Sequence, residues 1–277
     1  MEDTSFNRGS FGQIYHGTYM NAPVVVKCVD ISSETTQRDF MREVSVWQKA
    51  NRHPNIVPLY GACDVGEPCF MVCKHIAGGS LSVYLRRQKG DRQSKAWRVL
   101  LDVTHGLQFL HSRGIIHGDL KGSNVLVDGD TAMLTDFGMS CVGTGSKPQF
   151  DNLGAIRWRA PEFVAKGKSS FEADVYSLGM VVVVAVVGIL PWGMAPEASV
   201  QWHLEHGKFM KKPEVMSDEM WGLVCAVCNF DPSKRLKLED VEKQIKKFAG
   251  EEEDAFRLRG SAPLPTSKSS PVAAPTA

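Results

Sequence analysis

Four polar residues near the middle of the chain have the types and order that phosphoryl transfer requires. Asp119, Lys121 and Asn124 lie within one short segment, and Asp136 follows them. Transfer of a phosphoryl group needs a carboxylate that orients the attacking hydroxyl, a cation on the phosphates, oxygen ligands for a metal ion and a cover over the phosphates. Each acid alone indicates only a loop cap, because Asp and Asn favour turns. The four residues in one register favour the chemical interpretation.

The cover over the phosphates is predicted near the N-terminus, where glycines let a backbone approach phosphate closely and offer N–H donors. The segment F-N-R-G-S-F-G-Q-I over residues 6–14 carries two of the three glycines of the G-x-G-x-x-G pattern, with Asn at the first place. Asn tolerates the left-handed backbone that such a turn uses. Alone this pattern is a weak signal, because a glycine-bearing hairpin that binds no ligand can have the same sequence. The residues assigned to the nucleotide are Phe6, Asn7, Gly9, Ser10, Phe11, Gly12 and Ile14.

A lysine that fits the cation follows on the next predicted strand. Lys27 ends a run of three valines, and Glu43 lies on the helix predicted after it. Together they would form an ion pair that holds the ammonium against the α and β phosphates. Each has a simpler interpretation when taken alone: a solvated strand end for Lys27 and a solvent-facing helix residue for Glu43.

The strongest signal is the sequence H-G-D-L-K-G-S-N over residues 117–124, followed by D-F-G over residues 136–138. Here the chain resembles the eukaryotic protein kinases, which carry H-x-D-L-K-x-x-N and D-F-G at this separation. The resemblance implies ATP as the phosphoryl donor, Mg²⁺ as the metal ion and a protein hydroxyl as the acceptor. The probability that both motifs occur together by chance is negligible.

The same resemblance assigns a role to each polar residue. Asp119 would be the catalytic carboxylate that receives or orients the proton of the substrate hydroxyl, and Lys121 would neutralise the γ-phosphate during transfer. Asn124 and Asp136 would hold magnesium.

Further matches extend the resemblance from Phe6 to about Phe248. Counting back from the G-S-L of residues 79–81, Cys73 falls at the back of the nucleotide pocket. The hinge then covers residues 74–76, with Lys74 and Ile76 near the nucleotide. Leu126 would form part of the adenine floor, and Val25 and Ile14 the roof. The remaining matches are H-P-N-I-V (53–57), A-P-E (160–162), D-V-Y-S-L-G (174–179) and Arg235, which resembles the late arginine that pairs with Glu162.

Two details narrow the resemblance. Lys121 in D-L-K-x-x-N is typical of serine/threonine kinases, whereas tyrosine kinases usually carry D-L-A-A-R-N or D-L-R-A-A-N. Trp158 before A-P-E, together with the G-S-L after the hinge, points to the tyrosine-kinase-like group of serine/threonine kinases. The predicted partner is therefore a protein with a Ser or Thr acceptor.

Other residues depart from the family pattern and keep an alternative open. Gly118 stands where most members have the Arg that grips an activation-loop phosphate. Ala155 stands where serine/threonine kinases usually have a Thr that bridges to the catalytic Asp and Lys. With Asn7, these changes favour a pseudokinase that binds nucleotide or partners without catalysis, whereas the retained charged residues oppose it. A P-loop nucleotide hydrolase does not fit, because the sequence lacks G-x-x-x-x-G-K-[ST].

The residue pattern predicts the elements that must position these side chains. β-branched and aromatic residues indicate strands first, and apolar residues at helical spacing indicate helices later. This order predicts the α+β class, and the resemblance implies a two-lobed protein kinase fold with a small β-rich N-lobe and a larger, mainly helical C-lobe. The predicted strands are 13–19 and 24–29, with a turn at 21–23, and segments around 56–63 and 68–74; the predicted helices are 35–51, 81–89 and 95–112.

Residues 1–249 are predicted to form the kinase domain, with residues 1–76 as N-lobe and hinge and 77–249 as C-lobe. ATP and magnesium would lie in the cleft between the lobes. From residue 250 to 277, Pro, Ser, Ala and charged residues replace periodic hydrophobics, which predicts a disordered tail.

Composition limits the remaining function classes. The chain has 277 residues, 43% of them hydrophobic, and its 32 Lys and Arg nearly balance 31 Asp and Glu, so charge does not suggest nucleic acid or anionic membrane as a partner. Seven scattered Cys and no leader-like start predict a reducing, cytoplasmic location. Cys225 and Cys228 are predicted to be buried thiols rather than a metal or redox half-site. The apolar run 178–190 is too short for a membrane span, so a buried core helix is expected.

Overall fold

The computed structural model describes residues 7–9, 12–88, 93–143 and 153–260. The strands are β1 (Asn7–Gly9), β2 (Gly12–Tyr19), β3 (Ala22–Val29), β4 (Leu59–Cys63), β5 (Cys69–Lys74), β6 (Ile115–Ile116), β7 (Val125–Asp128), β8 (Thr131–Leu134) and β9 (Cys141–Val142). The helices are α1 (Glu34–Ala50), α2 (Leu81–Arg87), α3 (Gln93–Ser112), α4 (Pro161–Lys166), α5 (Phe171–Val187), α6 (Glu197–Glu205), α7 (Asp218–Val227) and α8 (Leu238–Gly260). Short 3-10 helices cover Gly122–Asn124, Leu153–Trp158 and Pro232–Lys234. Strands dominate the first part and helices the second, which confirms the α+β class.

The N-terminal lobe is built on an antiparallel sheet in the order β1-β2-β3-β5-β4. Side chains alternate between the faces of a strand. On β3, Val24, Val26 and Cys28 form a small cluster on one face. Lys27 therefore lies on the opposite face, where it meets α1 through Glu43. The alternation explains why a lysine in an apolar strand points into the cleft.

The turn between β2 and β3 lies one residue earlier than expected. Met20 and Asn21 both have positive φ angles, 47° and 64°, and Tyr19 pairs with Ala22 across the turn. The predicted turn at 21–23 is therefore wrong, because Pro23 belongs to β3. Two consecutive left-handed residues make a tight hairpin turn, and the ring of proline excludes it from such a position.

Helix α1 follows its predicted course within a residue or two. It begins after Ser33, whose side chain accepts a hydrogen bond from the N–H of Thr36 while the Thr36 side chain accepts one from the N–H of Ser33. This reciprocal cap satisfies two free donors at the helix start. Phe40, Val44 and Trp47 are buried on one face, and Glu43 is buried beside them at 3% exposure.

The C-terminal lobe is organised around α5, which contains most of the predicted apolar run. The helix begins after Ser170, whose side chain caps Ala173, and ends at Gly188 in the left-handed conformation. Every residue from 173 to 186 is buried. The expectation of a buried core helix is therefore confirmed, and no helix in the described part of the chain is long and apolar enough to cross a membrane.

The predicted pairing of Arg235 with Glu162 is also present. Both terminal nitrogens of Arg235 donate to the Glu162 carboxylate, at 2.6 and 2.7 Å, and one of them donates to the carbonyl of Glu172 at 2.8 Å. A bidentate guanidinium–carboxylate pair is geometrically specific. It fixes the start of α4 to the start of α5.

Two predictions about the C-terminal part need correction. Cys228, which follows α7, is buried, but Cys225 is exposed, because it is not on the buried face of α7 that Leu223, Val224 and Val227 form. The tail was predicted to be disordered from residue 250, yet α8 continues to Gly260. Residues 261–277 lie outside the described part of the chain.

The extension of α8 has a specific contact behind it. The two carboxylate oxygens of Glu252 accept hydrogen bonds from the backbone N–H groups of Ala96 and Trp97, both at 3.2 Å, near the start of α3. The rings of Trp97 and Phe248 pack with centroids 4.4 Å apart. Free N–H groups at a helix start need acceptors, and here a distant helix supplies one. Composition alone cannot reveal this contact.

We expect Glu252→Ala to lower the free energy of unfolding by about 1 kcal/mol, the usual cost of losing a helix cap. Such a loss corresponds to a fall in Tm of about 2–4 °C for a domain of this size. Burial raises the pKa of Glu252 to about 8, although the backbone donors oppose this. Glu252→Gln keeps one of the two acceptor oxygens without the charge, so it should recover part of the stability lost in Glu252→Ala.

Thermal unfolding measures both variants, with Glu253→Ala as the matched control, because Glu253 is exposed. A Glu252→Ala protein as stable as the control would show that α8 does not cap α3.

Candidate active site

The lysine and glutamate chosen from the sequence meet across the small lobe. The ammonium nitrogen of Lys27 lies 2.7 and 3.0 Å from the two carboxylate oxygens of Glu43, and 3.5 Å from Oδ1 of Asp136. Burial lowers the pKa of Lys27, but the two carboxylates outweigh it and raise the pKa above its ordinary value. The lysine therefore remains a cation, held between β3, α1 and the Asp136 segment.

The segment that carries Asp119 is anchored to the core of the larger lobe. The buried carboxylate of Asp174, at the start of α5, accepts the backbone N–H groups of His117 and Gly118 at 2.7 and 2.8 Å. It also lies 3.0 Å from Nε2 of His111. A buried carboxylate is stable only when such donors surround it. The loop that contains the candidate catalytic residue is therefore fixed at its first two residues.

Asp119 itself is buried, with 6% exposure, and its neighbours in the same loop donate to it. Lys121 Nζ lies 2.7 Å from Oδ2 of Asp119. The side-chain amide of Asn124 donates to the Asp119 carbonyl at 2.8 Å and to Oδ2 at 3.1 Å. The structure thus brings together the carboxylate, the ammonium and the amide that the sequence placed at this spacing.

Asp136 reaches the same cleft because of its backbone and its neighbour. Its φ angle is +65°, in the left-handed region that Asp enters more readily than most residues. Phe137 is fully buried, with its ring centroid 5.4 Å from that of Trp47 and 5.6 Å from that of His117. Packing of Phe137 against α1 and the catalytic loop turns the Asp136 carboxylate towards Lys27.

The oxygen donors suit a hard divalent cation. Asn124 supplies an amide oxygen and Asp136 a carboxylate, and Mg²⁺ prefers such ligands, usually one or two from the protein together with waters and substrate phosphates. The described residues contain no cluster of three or more His, Cys, Asp or Glu that could hold a metal ion. Asn124 and Asp136 thus supply the number and kind of protein ligands that Mg²⁺ usually takes beside a phosphate.

The residues assigned to the nucleotide base lie at the hinge side of the cleft. Cys73 on β5 pairs with Val25 on β3, and burial raises the pKa of its thiol to about 12, so the group stays neutral. Ile76 is buried, and Leu126 packs against the main core from β7. Lys74 is engaged elsewhere, with its ammonium 2.7 Å from Oδ2 of Asp128. The ammonium of Lys74 is therefore paired with β7, and its assignment to the nucleotide stays a prediction.

The glycine-bearing segment is described only in part. Phe6, Ser10 and Phe11 lie outside the described residues, and Asn7 and Gly9 are described as backbone of β1. Ile14 lies on β2 opposite Lys27. A Cβ atom on Gly12 would lie 2.0 Å from the carbonyl oxygen of Cys28, so close packing against β3 alone requires glycine there. The side chain of Ala155 is also outside the described residues.

Sequence reasoning missed one residue of the site. Arg159 lies between the 3-10 helix Leu153–Trp158 and α4, and its Nη2 is 3.0 Å from Oδ1 of Asp119. The signal was present as the second arginine of R-W-R-A-P-E. Nothing in the spacing shows that its side chain turns back to a residue forty positions earlier.

Comparison with known proteins places this arrangement among kinases. Tyrosine-protein kinase Fer of Mus musculus is 30% identical over 245 residues, 86% of this chain and 30% of that protein. Serine/threonine/tyrosine-protein kinase HT1 of Arabidopsis thaliana is 29% identical over 253 residues, 88% of this chain and 65% of that protein. Serine/threonine-protein kinase STY46 of the same plant is 29% identical over 248 residues, 88% of this chain and 43% of that protein. The chain thus spans less than two thirds of each of these relatives.

The family model described as protein tyrosine and serine/threonine kinase matches residues 2–245, nearly all of the described chain. That range contains the Lys27–Glu43 pair, the Asp119 loop and Asp136. The family uses ATP and a divalent metal ion for phosphoryl transfer to proteins. By sequence, fold and site geometry, the chain belongs to the eukaryotic protein kinases, in the tyrosine-kinase-like area of that family.

Proposed function

We propose that this chain transfers the γ-phosphate of ATP to serine or threonine hydroxyls of a protein substrate, with Mg²⁺ as the metal ion. One observation carries the proposal: Asp119, with Lys121 and Asn124 bonded to it, lies beside the Lys27–Glu43–Asp136 cluster. Thr135, next to Asp136 in the chain, joins the two, because its N–H donates to the Asn124 carbonyl at 3.0 Å and its carbonyl lies 3.2 Å from Nε2 of His117. These are two halves of a phosphoryl-transfer site, one for the acceptor and one for the nucleotide.

Asp119 acts on the acceptor. Its carboxylate orients the incoming hydroxyl and receives the proton as the oxygen attacks. Lys121, 2.7 Å from Asp119, carries the positive charge that faces the transferring group. A fixed cation stabilises charge that develops during transfer, because it needs no reorganisation at that moment.

Lys27 acts on the donor. Glu43 fixes the ammonium at the end of β3, where it can hold the α and β phosphates in line with the acceptor. Asp136 and Asn124 are the residues that would hold magnesium, which when bound neutralises phosphate charge. Because Lys27 contacts Asp136, the residue that binds the phosphates lies next to a residue that would hold magnesium.

Lys121 supports the choice of serine and threonine over tyrosine, because it occupies the position that carries Lys in the D-L-K-x-x-N pattern of serine/threonine kinases. The relatives carry names of tyrosine, serine/threonine and dual-specificity kinases, so the acceptor needs its own test. Purified protein with magnesium, labelled ATP and myelin basic protein should label phosphoserine and phosphothreonine after acid hydrolysis. Label mainly in phosphotyrosine would refute this part of the proposal.

A pseudokinase is the second candidate, favoured by Gly118, Ala155 and Asn7. The same assay separates the two. Nucleotide binding without transfer to any acceptor, or to the chain itself, would assign the protein to that class.

We expect Asp119→Asn to lower kcat by about 10²–10⁴-fold, the usual contribution of a positioned general base. The affinity for ATP should change little, because the carboxylate acts on the acceptor hydroxyl. Steady-state kinetics and nucleotide-induced thermal shifts measure the two effects separately. An equal loss of binding and turnover would contradict the role given to Asp119.

Lys27→Met should weaken ATP binding and lower kcat together, since the substitution removes the cation from the phosphates. It should also lower Tm, because Glu43 stays buried without its partner. Lys49→Met is the matched control, since Lys49 is exposed on the same helix as Glu43. Transfer near the wild-type rate in Lys27→Met would show that the lysine is structural only.

A further inference from the structure

Arg159 makes more contacts to the catalytic loop than its place in the chain suggests. Its side chain is 11% exposed. Nη2 donates to Oδ1 of Asp119 at 3.0 Å, and Nη1 donates to the carbonyl oxygen of Gly118. One guanidinium therefore binds both the backbone and the side chain of the catalytic loop.

The two oxygens of the Asp119 carboxylate accept different numbers of hydrogen bonds. Oδ2 accepts from Lys121 at 2.7 Å and from Asn124 at 3.1 Å, whereas Oδ1 accepts from Arg159 at 3.0 Å. Each carboxylate oxygen has about two acceptor positions. Among the described residues, two donors therefore fill Oδ2, whereas Oδ1 keeps one acceptor position that suits an incoming hydroxyl. The direction of that open position depends on where Arg159 holds the oxygen.

Arg159 is itself fixed by a different part of the fold. Its guanidinium carbon lies 4.6 Å from the ring centroid of Phe163 in α4, and Nη2 lies 3.2 Å from the sulfur of Met139. The preceding carbonyl, of Trp158, accepts a hydrogen bond from Ser177 of α5 at 2.8 Å. The other two donors to Asp119 come from its own loop. Arg159 is therefore the contact that ties Asp119 to the segment before α4.

Gly118 completes the arrangement. Its φ angle is +74°, and a Cβ atom there would lie 2.6 Å from the carbonyl oxygen of Met139, so a side chain is strained at this position. The loop therefore supplies no cation of its own at residue 118. Arg159 brings a guanidinium to the Gly118 carbonyl from a segment that follows in the chain.

We propose that Arg159 is a positioning residue that holds Oδ1 of Asp119 so that its free acceptor position faces the substrate hydroxyl. The proposal rests on the proposed phosphoryl transfer and names the contact that aligns its catalytic carboxylate. It couples the segment before α4 to the chemistry: displacement of that segment would release Asp119 without removing any catalytic group.

The kinetic test compares Arg159→Met with Arg159→Lys. Loss of a hydrogen bond to a charged group should lower kcat by about tenfold or more in Arg159→Met, while the KM for ATP changes less than about threefold. Arg159→Lys keeps the charge and should recover part of the rate. If Arg159→Met does not fold, the comparison of Arg159→Lys with the wild type becomes the test. Arg157→Met is the matched control. Arg157 lies in the same segment but donates to the carbonyls of Pro191, Gly193 and Ala195.

Chemical rescue separates positioning from general stability. Guanidinium ion added to Arg159→Ala should restore turnover saturably, because the small cation can occupy the vacated place beside Asp119. The same addition should not restore any loss in Arg157→Ala. An unchanged or increased kcat in Arg159→Met would overturn the proposal, since an increase would mean that Arg159 competes with the acceptor.

Hydrogen exchange gives a readout that does not need activity. In Arg159→Met, the backbone amides of residues 117–120 should exchange faster than in the wild type, and Arg157→Met should leave them unchanged. Unchanged exchange in Arg159→Met would overturn the positioning role even in an inactive protein. If the wild type transfers no phosphate to any acceptor and Arg159→Met still exchanges faster than the wild type, the proposed function is refuted and the positioning contact stands.

Discussion

The buried carboxylate of Asp174 is the contact on which the rest of the site depends. It lies in the first turn of α5, where the partial positive charge of the helix start favours an anion, and it accepts the N–H groups of His117 and Gly118. Because α5 is buried along almost its whole length, this carboxylate gives the catalytic loop a fixed origin. Asp119, Lys121 and Asn124 follow within six residues of Gly118, so the anchored backbone also limits where their side chains lie.

The two lobes meet at this loop through packing rather than through charge alone. Phe137 lies between Trp47 of α1 and His117, and the neighbouring Asp136 contacts Lys27. An apolar ring buried between two elements holds their relative position, because its removal from water is favourable only while both contacts persist. The Lys27 cluster and the Asp119 loop are thus positioned relative to each other by one buried side chain and one ion pair.

The two buried carboxylates of the site, Glu43 and Asp119, are both compensated. Glu43 is buried beside the apolar face of α1 and is satisfied by Lys27, while Asp119 is satisfied by Lys121, Asn124 and Arg159. A buried ion pair contributes little net stability but fixes geometry, since loss of either partner leaves a costly unpaired charge. The arrangement is consistent with a site that trades stability for fixed placement of its reacting groups.

The sequence by itself determined the fold class, the order of the elements and the spacing of Asp119, Lys121, Asn124 and Asp136, because these follow from local periodicity and from residues close together in the chain. Only the tertiary structure revealed the contact of Arg159 with Asp119 and the extent of α8. Arg159 contacts Asp119 although the two residues are 40 positions apart, and Glu252 accepts hydrogen bonds from a helix far from it in sequence. The composition of residues 250–260 resembles that of a disordered tail. The hydrogen bonds that join this segment to α3 leave no periodic signal in the sequence, so the helix could not be predicted. Such contacts arise only once the core has brought the segments together.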